Sequence, residues 1–275
     1  MKVYISADME GVTGVTHPQD VIPGRSQYER FRKLLTAEVN AAIEGAAEAG
    51  ATEFLVNEAH DGMRNILLED LDPRAELIVG QQKPFVMMEG VSEADVAFFV
   101  GYHARAGTSG VLSHTFTAPQ VVVGVELNGD PCSEGRMNAT LAGLWGVPVG
   151  LVSGDDLTCE EAVSLYTGVQ TARVKTAVDR YTARCLPPEA SLRRIREAAG
   201  AAIEDVGDLS PYTPGQPYTF TVEFVTASTA ASVLYFPGLK RLDDRRVSWT
   251  HEDYPTAYKM FIGVMRLARS DPDYG

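Results

Sequence analysis

Asp8 and Glu10 stand two residues apart, directly after the apolar run Val3-Tyr4-Ile5-Ser6-Ala7. Residues two apart in extended chain point the same way, so the pair can converge on one point just beyond a strand end. Like charges held that close raise each other's proton affinity unless a cation lies between them. Two further apolar runs also lead to metal-capable side chains: Glu53-Phe54-Leu55-Val56-Asn57 runs into Glu58-Ala59-His60-Asp61-Gly62, and Val96-Ala97-Phe98-Phe99-Val100 into Gly101-Tyr102-His103-Ala104-Arg105. Any one of these alone reads as a turn cap or a solvated acid, but three strand ends carrying donors point to a shared site. Glu134 adds a third carboxylate; in a helix's first turn its ordinary role is to answer the helix dipole. Two histidines and three carboxylates form a mixed nitrogen and oxygen donor set that zinc accepts, and a carboxylate can bridge two ions. Paired metals polarise a carbonyl, lower the pKa of a water and hold both attacking and leaving groups, which is the chemistry of hydrolysis. His114, near but distinct from His103, suits proton transfer or donation to a developing oxyanion.

These residues need a scaffold that brings distant strand ends to one edge. A helix is expected between the first two strands, with Phe31, Leu34, Leu35, Val39, Ala42, Ile43 and Ala46 at three- and four-residue steps until Gly50. Strand, helix, strand in that order implies a right-handed crossover and a parallel pair, whose carboxyl ends lie on the same edge. The stretch from Thr16 to Gly24, with His17 before Pro18, reads as a polar surface loop. Short strands are expected over 75–79 and 147–153, and residues 111–125 are rich in β-formers before the Asn128-Gly129 turn. A helix from Ser133 onward would hold Glu134 in its first turn. Asp155 and Asp156, at the end of the 147–153 strand, read as helix caps or supports for the ligands.

Beyond Thr158 the pattern changes. Helices around 160–166 and 188–203, a strand over 170–178 and a Pro-rich loop over 209–218 lead to strands at 219–225 and 247–249. A final helix runs from Asp253 to Leu267, with His251 and Glu252 at its start. The expected fold class is α/β: a Rossmann-like three-layer domain with a mainly parallel sheet, plus a smaller α+β domain. The expected division places the metal-binding catalytic domain at 1–160 and an α+β domain for pocket cover or oligomer contacts at 161–275.

Composition narrows the partners. With 24 Lys and Arg against 37 Asp and Glu, the formal charge is -13, which argues against nucleic acid or an anionic membrane as a main partner. Cys132, Cys159 and Cys185 lack C-x-x-C spacing, so neither a disulfide framework nor a cysteine zinc knot is expected, and a reducing cytoplasm suits them. The start Met1-Lys2-Val3-Tyr4 lacks a signal peptide's apolar core, and no apolar run approaches membrane-spanning length. The sequence contains no G-x-G-x-x-G, G-x-x-x-x-G-K, H-E-x-x-H or G-x-S-x-G motif, which removes the usual warrant for nucleotide and serine-hydrolase chemistry.

The set Asp8-Met9-Glu10-Gly11, Asn57-Glu58-Ala59-His60, Lys83-Pro84-Phe85, Gly101-Tyr102-His103-Ala104-Arg105, Ser113-His114 and Glu134 closely resembles the DppA-type D-aminopeptidases, the M55 metallopeptidases. The similarity spans nearly the whole chain, with the motifs in the family's order. The resemblance implies that Asp8 bridges two zinc ions, that Glu10 and His60 complete one site and His103 with Glu134 the other, and that His114 is catalytic. It also implies short peptides with an amino-terminal D-residue as substrates, and a homodecamer of stacked pentamers. Glu58 and Ala59 replace a shorter acid and a serine of the family pattern, and Cys132-Ser133 and Gly135-Arg136 differ around Glu134, departures that bear on substrate preference more than on metal binding. Alternatives remain at this point: hydrolysis of an L-peptide, another amide or a phosphoester, or a peptide-binding scaffold without turnover.

Overall fold

The computed structural model describes residues 1–117 and 120–270. The chain begins with β1 (Lys2–Ala7), α1 (Pro18–Val21), α2 (Tyr28–Glu48), β2 (Glu53–Glu58), β3 (Ala75–Ile78) and β4 (Val96–Val100). Then follow β5 (Val122–Leu127), β6 (Asp130–Pro131), α3 (Glu134–Leu144), β7 (Val149–Gly154), α4 (Asp156–Leu165), β8 (Gln170–Arg173), β9 (Lys175–Asp179), β10 (Thr182–Cys185) and α5 (Pro188–Glu204). The remainder is β11 (Tyr218–Phe224), α6 (Ala227–Val233), β12 (Lys240–Arg241), β13 (Arg246–His251) and α7 (Tyr254–Arg269).

Six strands pair in the order β3-β2-β1-β4-β7-β8, and every pair is parallel. This is the strand order of a doubly wound sheet, and it bears out the expected α/β class. Strands buried on both faces read as continuous apolar runs. All of β4 and β7, and β1 after Lys2, are indeed buried. β1 lies between β2 and β4, with Ala7 opposite both Glu58 and Val100. Pairing continues one residue further on each side, Asp8 N–H donating to Val100 O (2.9 Å) and Ala59 N–H to Ala7 O (2.9 Å). Asp8, Glu10, His60 and His103 therefore leave three adjacent strands at the same edge.

A second sheet, β12-β13-β11-β5-β6, is antiparallel throughout. Its β11 alternates, with Tyr218, Phe220, Val222 and Phe224 buried and the residues between them half-buried, as one covered face requires. On that face Phe220 stacks on Trp249 (5.3 Å between ring centroids) and on Phe261 of α7 (5.4 Å).

The chain divides into two contact units. The first comprises Met1–Ala104, Ser109–Leu112 and Asn138–Thr213; the second comprises Arg105–Thr108, Ser113–Met137 and everything from Pro214 on. This differs from a single cut at residue 160. β8 adds to the parallel sheet beside β7, and α5 packs on α2, so residues 161–213 stay with the first unit. β5 pairs with β11, which draws residues 122–127 into the second.

Local expectations need three corrections. The Thr16–Gly24 stretch contains α1: Pro18 starts it, His17 Nδ1 accepts from Gln19 N–H (3.2 Å), and the Asp20 carboxylate accepts from His17 N–H (2.9 Å). Among the described residues of 111–125 only those from Val122 form an extended strand, since positive φ at Leu112 (51°) and Phe116 (65°) interrupts the earlier part. The single strand over 170–178 is two, β8 and β9, separated at Val174. Among the described residues no helix is long and apolar enough to cross a membrane.

Candidate metal centre

The first unit gathers four of the predicted residues. His60 Nδ1 lies 2.9 Å from Glu10 Oε2 and 3.3 Å from Asp8 Oδ1. His103 Nε2 lies 3.6 Å from Asp8 Oδ2. Asp8 thus turns one oxygen toward each histidine, the arrangement a bridging carboxylate needs. All four residues are buried, and Asp8, Glu10 and His60 each offer a donor atom within 4.8 Å of the others.

The free nitrogen of each imidazole is fixed by the backbone. His60 Nε2 is 3.0 Å from Val21 O, so it carries the hydrogen and leaves Nδ1 to face the carboxylates. His103 uses the opposite nitrogen: Nδ1 donates to Ala104 O (3.1 Å), and Nε2 faces Asp8. Metal-bound histidines characteristically hold their second nitrogen this way. Burial by itself would lower the His60 pKa, but the adjoining Glu10 and Asp8 carboxylates outweigh it and hold the imidazole well above its ordinary value. A proton on Nδ1 then stands among the carboxylates where a divalent ion would supply the charge. The donor set fits zinc in chemistry, burial and spacing.

Close backbone approach locks the strand ends together. Gly11 N–H donates to Gly101 O (2.7 Å), and a Cβ at Gly11 would lie 2.0 Å from Tyr102 O. Gly101 sits at φ +73°, where a Cβ would lie 2.1 Å from Asp8 O. Only glycine permits either approach. Ser153 completes the lock, its Oγ accepting from Gly101 N–H (2.9 Å) and its carbonyl from Tyr102 N–H (3.0 Å).

The turn that carries His60 is held by its own network. The Glu58 carboxylate accepts from Asn65 N–H (2.6 Å), from Asn65 Nδ2 (2.9 Å) and from Ile66 N–H, while Asn65 Nδ2 also reaches His60 O (2.9 Å). Tyr28 Oη donates to Asn65 Oδ1 (2.9 Å), and Arg32 Nε to Asn65 O (2.7 Å), tying the turn to α2. Glu58 is therefore a turn clamp. Asp155 is a cap as expected: its Oδ1 accepts from Thr158 N–H (2.8 Å) and its Oδ2 from Val111 N–H (2.7 Å). His251 Nδ1 accepts from Asp253 N–H (2.9 Å) at the start of α7.

The second unit holds the other two predicted residues. His114 Nε2 lies 3.7 Å from Glu134 Oε1, which also accepts from Phe116 N–H (2.6 Å). Glu134 opens α3 and is buried, whereas His114 is half-buried. Thr115 Oγ1 donates to Cys132 O (3.2 Å) and accepts from Ala106 N–H (3.1 Å), which fixes the segment bearing His114. Arg269 reinforces it through Nη2 to Phe116 O (2.9 Å).

Sequence reasoning missed three supporting charged groups. Lys83 was seen only as part of a motif, and Lys175 and Glu38 not at all. Burial lowers Lys83 and Lys175 to about 8 each and raises Glu38 to about 7. Nothing in local pattern marks a lysine inside a strand as buried.

Residues 1–262 match the family model of the M55 peptidases, described as D-aminopeptidase. A D-aminopeptidase of Bacillus subtilis (strain 168) is 37% identical over 273 residues, 98% of either chain. A solved structure described as the zinc-dependent D-aminopeptidase DppA from Bacillus subtilis, a self-compartmentalizing protease, matches with a TM-score of 0.95 at 36% identity over 99% of both chains. A match of that extent, around strand ends that gather the donors the sequence singled out, shows that the chain belongs to the M55 peptidase family of D-aminopeptidases.

Proposed function

We propose that this protein is a zinc-dependent aminopeptidase that hydrolyses short peptides carrying an N-terminal D-amino acid. The observation that carries the reading is the buried meeting of Asp8, Glu10 and His60 donors within 4.8 Å, in a chain alike over 98% of its length to a D-aminopeptidase. Two ions per chain are proposed, with Asp8 as the bridge, Glu10 and His60 completing one site, and His103 with Glu134 the other. Zinc bound there would supply Lewis acidity at the scissile carbonyl and a water of lowered pKa. His114 is assigned the proton work at the reacting carbonyl: it is half-buried, and its imidazole is oriented beside Glu134. Val21 O and Ala104 O keep the other two imidazoles in the tautomers that leave a lone pair inward. A carboxylate of the set, Glu10 or Glu134, is proposed to attract the peptide's free ammonium.

The assembly is proposed to be a homodecamer, supported by the related structure's description as self-compartmentalizing. The α+β part of the chain is assigned to subunit contacts and pocket cover. We place the protein in the cytoplasm, in keeping with cysteines that show no disulfide spacing. The test pairs metal content with turnover on one sample, using dipeptides that begin with D- or L-alanine and a generic phosphoester. Chelation should abolish hydrolysis, zinc should restore it, and the D-series should be preferred. Activity that survives verified metal loss would end this reading.

A further inference from the structure

Two lysines are buried in the first unit, Lys83 at 8% and Lys175 at 1% exposure. Burying an ammonium is costly, and a fold retains one where its hydrogen bonds or charge are needed. Both are directed at turns that carry donors. Lys175 Nζ donates to the backbone carbonyls of Glu10 (2.5 Å), Val12 (3.0 Å) and Val15 (2.8 Å). Lys83 Nζ donates to Glu58 O (2.6 Å) and Asn57 Oδ1 (2.7 Å), two and three residues before His60, while Asn57 Nδ2 is anchored on Val86 O (3.1 Å). One lysine therefore gathers the turn after β1, and the other ties down the end of β2. The two turns meet at the contact of Glu10 with His60.

We propose that Lys83 and Lys175 are positioning residues for the metal centre: they hold the Glu10 and His60 turns at the separation at which the two side chains bracket one ion. The inference rests on the metal reading above. Each ammonium gathers oxygens of the turn or strand end beside it, so removing it frees that segment to relax. The Lys175 charge is also felt by Glu10, and so offsets part of the repulsion within the Asp8 and Glu10 pair. The donors are thereby preorganised before an ion arrives. Lys83 and Lys175 touch backbone and amide oxygens, so they act through the ligands and not on substrate.

Lys83→Met and Lys175→Met test this through zinc affinity, measured on folded protein by competition with a chromophoric chelator, alongside the melting temperature of the zinc-free form. Lys83→Met decides, because it strips fewer buried acceptors and is the better placed to fold. The expected result is a loss of roughly 10- to 100-fold in affinity for one zinc equivalent, the range seen when a ligand's support is removed, with the other equivalent unchanged. A merely structural lysine would lower the zinc-free melting temperature and leave the affinity of the folded fraction as it was; that result for Lys83→Met overturns the proposal. Wild-type protein that takes up no zinc would defeat the metal reading itself, a distinct outcome.

Discussion

The two sheets offer contrasting ways to carry function. In the parallel sheet β1, β4 and β7 are buried nearly end to end, so neither face is open to substrate and chemistry is confined to where the strands stop. Four predicted residues come from such ends, and backbone that interlocks around Gly11 and Gly101 holds them. In the antiparallel sheet the burial of β11 alternates, and an aromatic cluster fills the covered side. There His114 belongs to a connecting segment and Glu134 opens α3, with hydrogen bonds such as Thr115 to Cys132 O fixing the chain around them. The lesson is that four of the five proposed donors are set on strand ends interlocked by backbone, whereas Glu134 opens a helix and the half-buried histidine assigned to move a proton sits on irregular chain.

Substitutions in the two regions can break this contrast. Asp8→Ala should have the largest effect: zinc content should fall below two per chain, and turnover should drop roughly 10³-fold or more, since several kcal/mol of charge stabilisation would be lost. An active Asp8→Ala enzyme with full zinc would mean that the first unit is not the metal scaffold. His114→Ala should retain both ions and lose roughly 10²- to 10⁴-fold in kcat. If metal analysis instead shows an ion missing, the line drawn between the metal donors and a separate acid-base group is misplaced.

Two glycines sharpen the comparison further. Gly101→Ala places a Cβ 2.1 Å from Asp8 O at φ +73°, so it should destabilise by about 2 kcal/mol or more, and zinc affinity should fall with it. Gly124→Ala, in β5, meets nothing within 4 Å and should leave stability unchanged or raise it by roughly 0.5–1 kcal/mol. Equal melting temperatures for the two variants would refute the claim that close backbone approach at Gly101 locks the strand ends together.

The smallest effect concerns Glu38, fully buried in the first unit, whose Oε1 accepts from Thr13 N–H (2.9 Å). Burial raises its pKa from 4.5 to about 7, so the folded state binds more protons than the unfolded state between those values. Stability contributed by protonated Glu38 is thus present at low pH and lost as pH rises from about 4.5 through about 7. Glu38→Gln should melt progressively higher than the wild type as pH goes from 5 to 8. A gap independent of pH would show that Glu38 does not titrate in this range.

Much of the parallel half was legible because its signals are local. Runs such as Val96 to Val100 are strands by composition, and a crossover helix between two strands forces a parallel pair. α1 was hidden because four residues carry no period. The contact units depart from a cut at residue 160 because pairing of β5 with β11 joins segments about ninety residues apart, and no local pattern encodes a partner at that distance.

The chain by itself determined which side chains can bind or transfer: Asp8, Glu10, His60, His103, His114 and Glu134 are chemistry that exists before folding. It also determined that the first strands run parallel, since hydrophobic period and connection length are properties of neighbouring residues. Only the tertiary structure decided which imidazole nitrogen faces the carboxylates, because that depends on Val21 O and Ala104 O reaching the far side of each ring. It alone decided that Lys83 and Lys175 lie inside, since burial is a property of everything packed around a residue and not of the residue.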